Sequence, residues 1–133
     1  FCVPQNFVPK AVALNCGAYD VAQMMESWPQ SRRLIRDLTG SKKNADIIEK
    51  LPAQKHMTGS FPPVFLMTST GDFLRDQAPV MEKALQKHGI QYCFRLYGDE
   101  QNQLPHVFHC DMRKPEAAVC NQDECDFFRE FLN

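Results

Sequence analysis

Apolar residues in this 133-residue chain occur in short runs, and proline and glycine mark the ends of several of them. The clearest run is Val64–Thr70, which lies between Pro62–Pro63 and Gly71. Its first four residues are all apolar instead of alternating with polar ones, as is typical of a parallel strand covered on both faces. Ala11–Cys16 is a second short apolar run, and Gln91–Tyr97 is aromatic-rich and partly alternating. The pattern therefore predicts two buried strands and one outer strand.

Between and after these strands, apolar residues recur at helical spacing. Ser31 is predicted to cap one helix, with Gly40 as its stop, and Asp76 to cap another, with Gly89 as its stop. The predicted helices are a short one at Val21–Trp28 and longer ones at Ser31–Leu38, Asn44–Leu51, Asp76–His88 and Glu116–Leu132. The last helix is predicted to bury Ala117, Cys120, Phe128, Phe131 and Leu132.

The order of these elements predicts an α/β fold. Strands separated by helical segments require right-handed crossovers and a parallel sheet. We expect residues 1–133 to be part of a single domain in which residues 21–54 form a small helical excursion resembling a cap. In a sheet of three strands, Ala11–Cys16 would present an unpaired apolar edge to water. Either further strands precede this chain, or the edge pairs with a second copy to form a homo-oligomer.

The amino-acid composition and net charge argue against some classes of binding partner. The chain is 44% hydrophobic and 23% charged, with a net charge of -1, which argues against a nucleic-acid-binding stripe or a membrane-surface helix. No window reaches the roughly 18 to 20 apolar residues that span a bilayer. The six cysteines include no Cys-x-x-Cys pair, and we expect all to be reduced, hence a cytoplasmic protein. Because the chain starts at Phe1 without Met or a signal-like segment, we expect a piece of something longer.

Two residues at strand ends could carry chemistry. Asp72 follows the strand Val64–Thr70, and His106 follows the next strand, so both side chains should reach one rim of the sheet. A histidine acting as general base needs a carboxylate on its other nitrogen to hold one tautomer and stabilise the imidazolium. The alternatives are that Asp72 only caps a turn, that Asp76 is the acid, or that His109 is the base.

The segments that contain these residues resemble those of a known family. Pro62–Asp76 resembles the segment that bears the triad acid in α/β-hydrolases of the carboxylesterase and hormone-sensitive-lipase-like group. Leu104–Phe108 resembles their histidine loop, and Ala11–Asp20 is similar to the strand after the nucleophile's helix. The resemblance spans nearly the whole chain, but only as the family's carboxyl-terminal half. It implies about three parallel strands with flanking helices, with Asp72 as triad acid and His106 as general base.

The family's nucleophile is missing from this chain. A Gly-x-Ser-x-Gly elbow would need glycines two positions to either side of a serine, and no serine here has them. The serines are Ser27, Ser31, Ser41, Ser60 and Ser69. The resemblance therefore implies a serine carboxylesterase as the longer parent, acting on a small-molecule ester without a cofactor, and an inactive fragment. The alternatives are a serine peptidase of the same fold, or a non-catalytic piece that assembles through Ala11–Cys16.

Other candidate residues receive plainer interpretations. Four residues with side chains that can bind a metal lie close together in the sequence, namely His106, His109, Cys110 and Asp111. Their spacing matches no strong zinc signature, so we predict no metal at these residues. Cys16 and Cys93 are predicted to be inert core thiols. Apolar side chains in the excursion are candidates for an acyl pocket; they are Met24, Met25 and Trp28.

Overall fold

The computed structural model describes residues 7–40 and 45–132. Its sheet has three strands, β1 (Val12–Asn15), β2 (Val64–Ser69) and β3 (Tyr92–Tyr97). All pairings are parallel, in the order β1-β2-β3, with Val64 opposite both Val12 and Tyr92. The predicted parallel α/β arrangement is therefore confirmed, and β3 is an outer strand as expected.

Helices connect these strands and follow the last one. They are α1 (Val21–Ser27), α2 (Ser31–Thr39), α3 (Ala45–Lys50), α4 (Gln77–Lys87) and α5 (Pro115–Arg129). Single 3-10 turns lie at Ala53–His56 and Phe108–Cys110. Within the described parts of the chain, no helix combines the length and the apolar character that crossing a bilayer demands.

Strand β2 lies at the centre of the core, and every one of its side chains is buried. Phe65 and Met67 pack in a cluster with residues of α5, including Phe127. Val64 and Leu66 belong to a second cluster, which contains residues of α4. Because successive side chains of a strand point to opposite faces, a strand covered on both sides has no solvent-facing positions that would favour polar residues. This burial explains the unbroken apolar run.

The helical excursion has a small core of its own, formed by Val21, Met24 and Ile35. The prediction that Ser31 caps α2 is wrong. Ser31 is the first residue inside the helix, and its hydroxyl donates to the carbonyl oxygens of Met24 at 3.2 Å and Trp28 at 2.6 Å. The hydroxyl thus ties α2 to the end of α1 instead of satisfying an amide of its own helix.

Other helix ends also differ in detail from expectation. Asp76 precedes α4, but its side chain makes no capping hydrogen bond, so that prediction is wrong. Helix α5 ends at Arg129, and Leu132, predicted to be buried, is 65% exposed because it lies beyond the last helical turn. Gly40 and Gly89 do end their helices with positive φ angles of 69° and 65°. The predicted start of α3 at Asn44 lies outside the described residues.

Among the described residues, β1 pairs only with β2, so one edge of β1 carries no partner strand. Its four side chains are all partly exposed, so the prediction that this strand is buried is wrong: with no strand beyond it among the described residues, β1 is an outer strand like β3. Association of two copies through this edge remains a prediction.

Candidate active site

The turn after β2 places Asp72 beside the loop that carries His106. Gly71 forms a parallel bridge with Pro105, and its N–H donates to the carbonyl oxygen of Leu104 at 3.0 Å. A Cβ atom at position 71 would lie 2.8 Å from that carbonyl oxygen, which is closer than van der Waals contact allows. Only glycine therefore fits where the two loops meet.

Asp72 is held by several hydrogen bonds in a buried position. Its side chain is 0% exposed. Oδ1 accepts the N–H of Leu74 at 2.8 Å, and Oδ2 accepts the hydroxyl of Thr68 at 3.0 Å. A buried carboxylate needs such donors to offset its lost hydration, and here they also fix its orientation.

His106 lies against this carboxylate. Its Nδ1 is 2.8 Å from Oδ1 of Asp72, and its side chain remains 29% exposed. An ionised carboxylate only accepts hydrogen bonds, so Nδ1 carries the hydrogen and the lone pair of the neutral ring is on Nε2. The structure thus brings together the two side chains that strand order predicted to meet. Their catalytic role remains a prediction.

Residues on either side anchor the histidine in its loop. The hydroxyl of Ser69 donates to the carbonyl oxygen of Pro105 at 3.2 Å, and Phe108 is buried in the core. Val107, between His106 and Phe108, has a φ of 51°, which a β-branched residue adopts only under constraint. The loop therefore has a defined backbone path around His106.

The alternative acid and base lie elsewhere. Asp76 is exposed and lies 3.9 Å from the guanidinium of Arg75. Burial lowers the pKa of His109, and its buried Nδ1 has no hydrogen-bond partner among the described residues. Asp111, from the discarded metal group, pairs with Arg113 at 2.7 Å, and that hydrogen bond lowers the pKa of Asp111. None of these residues hydrogen-bonds to the Asp72–His106 pair in the described structure.

Cys16 was missed as a site residue by the sequence analysis. It is buried, as predicted for a core thiol, but its sulfur, an oxygen of Asp72 and a ring nitrogen of His106 lie within 4.8 Å of one another. Cys16 follows β1 as Asp72 follows β2, and this shared position at a strand end was the available signal. These are atom types that bind cations, but Nδ1 of His106 already donates to Asp72. That hydrogen bond leaves Nδ1 without a free lone pair.

An aromatic column leads from the excursion to the histidine. The ring of Phe73 lies 4.5 Å from the imidazole of His106 and 4.7 Å from the ring of Trp28, measured between centroids. Of the predicted pocket residues, Trp28 thus reaches the site through Phe73, whereas Met24 is buried in the core of the excursion and Met25 packs against it. Phe73 is 54% exposed, a feature that the sequence pattern did not single out.

Comparison with known proteins gave matches by structure only. No protein-family model matches the chain, and no curated protein sequence does. Esterase B from Lactobacillus rhamnosis superposes with a TM-score of 0.76 over 95% of this chain, at 20% sequence identity. A carboxylesterase from Lactobacillus plantarum gives a TM-score of 0.65 over 91% at 16% identity. An acetyl ester-xyloside bifunctional hydrolase from Caldicellulosiruptor lactoaceticus gives 0.58 over 86% at 15% identity.

These likenesses concern the fold. The chain spans 42%, 44% and 41% of the three neighbours, respectively. Its three parallel strands with flanking helices match the carboxyl-terminal part of an α/β-hydrolase fold. The predicted fold class is therefore confirmed.

Proposed function

We propose that this chain is the carboxyl-terminal part of a serine carboxylesterase, to which it contributes the triad acid Asp72 and the general base His106. The observation that carries the proposal is the 2.8 Å contact between Nδ1 of His106 and Oδ1 of Asp72 at the carboxyl ends of neighbouring strands. The esterase and carboxylesterase structures that share the fold support the same class of reaction.

In the proposed reaction, a serine hydroxyl from an upstream segment attacks the carbonyl carbon of a small ester. Nε2 of His106 takes the hydroxyl proton, and a tetrahedral intermediate forms. When the intermediate collapses, the bond to the alkoxy group breaks and His106 delivers the proton to the departing alcohol. Water, deprotonated by the same nitrogen, then releases the carboxylic acid and restores the serine.

Asp72 acts in this scheme through His106. Its hydrogen bond keeps the hydrogen on Nδ1, so that Nε2 is the nitrogen free to accept a proton. When the imidazole becomes charged, the buried carboxylate stabilises that charge more strongly than it would in water. No cofactor is needed for this chemistry.

The test uses the longer protein that contains this chain, assayed with p-nitrophenyl acetate and butyrate. We expect Asp72→Asn to lower kcat by about 10³- to 10⁴-fold, because the histidine would lose its preferred tautomer. His106→Ala should lower it at least as far. Asp76→Asn is the matched control, since that carboxylate is exposed beside Arg75, and it should leave kcat nearly unchanged.

Two results would contradict the proposal. Wild-type rates in both the Asp72→Asn and the His106→Ala proteins would exclude the pair from catalysis. Robust hydrolysis by the purified 133-residue chain would place the nucleophile within these residues. A Gly-x-Ser-x-Gly segment in the sequence that precedes Phe1 is the simplest supporting observation.

A further inference from the structure

Thr68 and Ser69, the last two residues of β2, place buried hydroxyl groups beside the candidate site. Thr68 is 2% exposed and Ser69 is 0% exposed. Successive side chains of a strand point to opposite faces, so the two hydroxyls lie on different sides of the sheet. Burying a hydroxyl costs free energy unless the group makes a hydrogen bond. The partners of these two hydroxyls therefore show what this strand end is built to hold.

Each hydroxyl donates to a different loop of the site. Oγ1 of Thr68 donates to Oδ2 of Asp72 at 3.0 Å. Oγ of Ser69 donates at 3.2 Å to the carbonyl oxygen of Pro105, the residue before His106. The N–H of Asp72 in turn donates to the carbonyl oxygen of Ser69 at 3.1 Å. One strand end thus contacts both the turn that carries the acid and the loop that carries the base.

The hydroxyl of Thr68 limits the rotation of the Asp72 carboxylate. The torsion about the bond from Cβ to the carboxylate is broad and roughly two-fold, so the side chain alone does not fix it. Oδ1 accepts the N–H of Leu74 and faces Nδ1 of His106, whereas Oδ2 accepts the hydroxyl of Thr68. Without that hydroxyl, a buried carboxylate oxygen would lose this donor, and the carboxylate could turn away from the imidazole.

The backbone that carries both hydroxyls is held in the sheet. Thr68 and Ser69 pair in register with Leu96 and Tyr97 of β3, and the N–H of Thr70 extends this pairing to the carbonyl oxygen of Tyr97 at 2.9 Å. Thr68 is also β-branched, which restricts its χ1 angle. Supporting groups on a strand hold a site more precisely than groups on loops do.

We propose that Thr68 and Ser69 are positioning residues that act together, Thr68 on the carboxylate of Asp72 and Ser69 on the backbone that leads to His106. The end of β2 thereby sets the spacing between the acid and the base. The effect on turnover rests on the function proposed above, but the effect on the Asp72–His106 hydrogen bond does not.

The first test uses the 133-residue chain and needs no enzyme activity. The hydrogen on Nδ1 of a histidine bonded to a carboxylate gives a far-downfield NMR signal, whose exchange with water reports how firmly the pair is held. Thr68→Val keeps the shape of the side chain but removes the hydroxyl. We expect it to speed the exchange about tenfold, because hydrogen bonds to charged groups are among the stronger ones. Thr68→Ser, which keeps the hydroxyl, should preserve slow exchange.

Thr70→Val is the matched control for this test, since the buried hydroxyl of Thr70 has no hydrogen-bond partner among the described residues. It should leave the exchange at the wild-type rate. The proposal is overturned if Thr68→Val exchanges no faster than Thr70→Val, or if Thr68→Ser is as impaired as Thr68→Val.

The joint action is tested by combining Thr68→Val with Ser69→Ala. We expect Ser69→Ala alone to speed the exchange only about threefold, because the carbonyl oxygen of Pro105 keeps a second hydrogen bond, from the N–H of Phe108 at 3.1 Å. Both changes loosen the same contact, so the double variant should exchange more slowly than the product of the two single effects implies. A double variant that matches that product would overturn the joint action.

A measurement on the wild-type chain decides the role of Thr68 if Thr68→Val does not fold. A hydroxyl proton that is bonded to a carboxylate resonates downfield of one that has no acceptor. The hydroxyl proton of Thr68 should therefore give a protected NMR signal downfield of the Thr70 hydroxyl signal. A Thr68 hydroxyl signal at the position of the Thr70 signal, or one that exchanges too fast to be seen, would overturn the proposal.

The longer protein separates this inference from the proposed function. There, Thr68→Val should lower kcat about tenfold with little change in KM, and Thr68→Ser should recover most of the loss. An active enzyme whose kcat is unchanged by Thr68→Val would overturn the inference. An inactive wild-type protein would overturn the esterase proposal, while the NMR measurements would still decide the roles of Thr68 and Ser69.

Discussion

The close approach of the acid and base loops at Gly71 can be tested by Gly71→Ala. The new Cβ would lie 2.8 Å from the oxygen and 3.2 Å from the carbon of the Leu104 carbonyl, and 3.4 Å from Cβ of Gln103. Two of these contacts are with backbone, which cannot rotate away as a side chain can. The loops must therefore separate by roughly half an ångström to restore ordinary contact distances.

Such overpacking costs about 1–3 kcal/mol, and stretching the hydrogen bond from Gly71 to Leu104 adds to it. With a urea m-value of about 1–3 kcal/mol per molar, the midpoint of unfolding should fall by roughly 1 M. The far-downfield NMR signal of the hydrogen on Nδ1 of His106, which is expected while that hydrogen is bonded to Asp72, should weaken as well. The reason is that the same separation moves the two side chains apart.

Gly59→Ala is the matched control. A Cβ at position 59 would meet nothing closer than the carbonyl oxygen of His88 at 3.7 Å, which is an ordinary contact. Its midpoint should stay near that of the wild-type chain. Equal midpoints for Gly71→Ala and Gly59→Ala, with the histidine signal intact in both, would refute the claim that the loops meet too closely for a side chain.

Three further predictions concern the site, the pH response and the sheet edge. In the longer protein, Phe73→Ala should reduce kcat/KM for p-nitrophenyl butyrate more than for p-nitrophenyl acetate, as measured in parallel assays. Equal losses for the two esters would show that Phe73 does not line the acyl pocket. Because burial lowers the pKa of His109 below its ordinary value of 6.5, the unfolded chain binds that proton more readily, and stability should fall as pH drops from about 7 to about 5. Urea titrations of His109→Gln should show a weaker pH dependence over that range, and an unchanged one would contradict this. The exposed edge at Ala11–Cys16 predicts concentration-dependent dimers in light scattering, and a monomer at every concentration would count against edge pairing.

Much of the fold could be predicted from the sequence because the surroundings of β2 restrict which residue types it can contain. Both of its faces are covered, so the run from Val64 to Met67 had to be apolar, and Gly71 had to end it where the loops meet. The positions of Asp72 and His106 then followed from a general rule, that the carboxyl ends of parallel strands share one rim. No side-chain detail was needed for that step.

The details that the sequence analysis missed depend on tertiary contacts. Ser31 was predicted to cap α2 from residue type, but its hydroxyl donates to the carbonyl oxygens of Met24 and Trp28 at the end of α1. Leu132 fits the apolar pattern of α5, yet the helix ends at Arg129, before reaching it. Cys16 resembles any core thiol until the neighbouring strands place two loops around it. The ring contacts of Phe73 likewise join segments that are distant in the chain.

The aromatic column has a practical consequence, because Trp28 is the only tryptophan in the chain. Its indole lies against Phe73, which in turn lies against His106. When the unlabelled chain is excited at wavelengths that its three tyrosines do not absorb, the fluorescence therefore originates from a single ring, one side chain away from the imidazole. Any molecule that displaces Phe73 on entering the site should change the emission, so occupancy can be followed optically without a substrate that turns over.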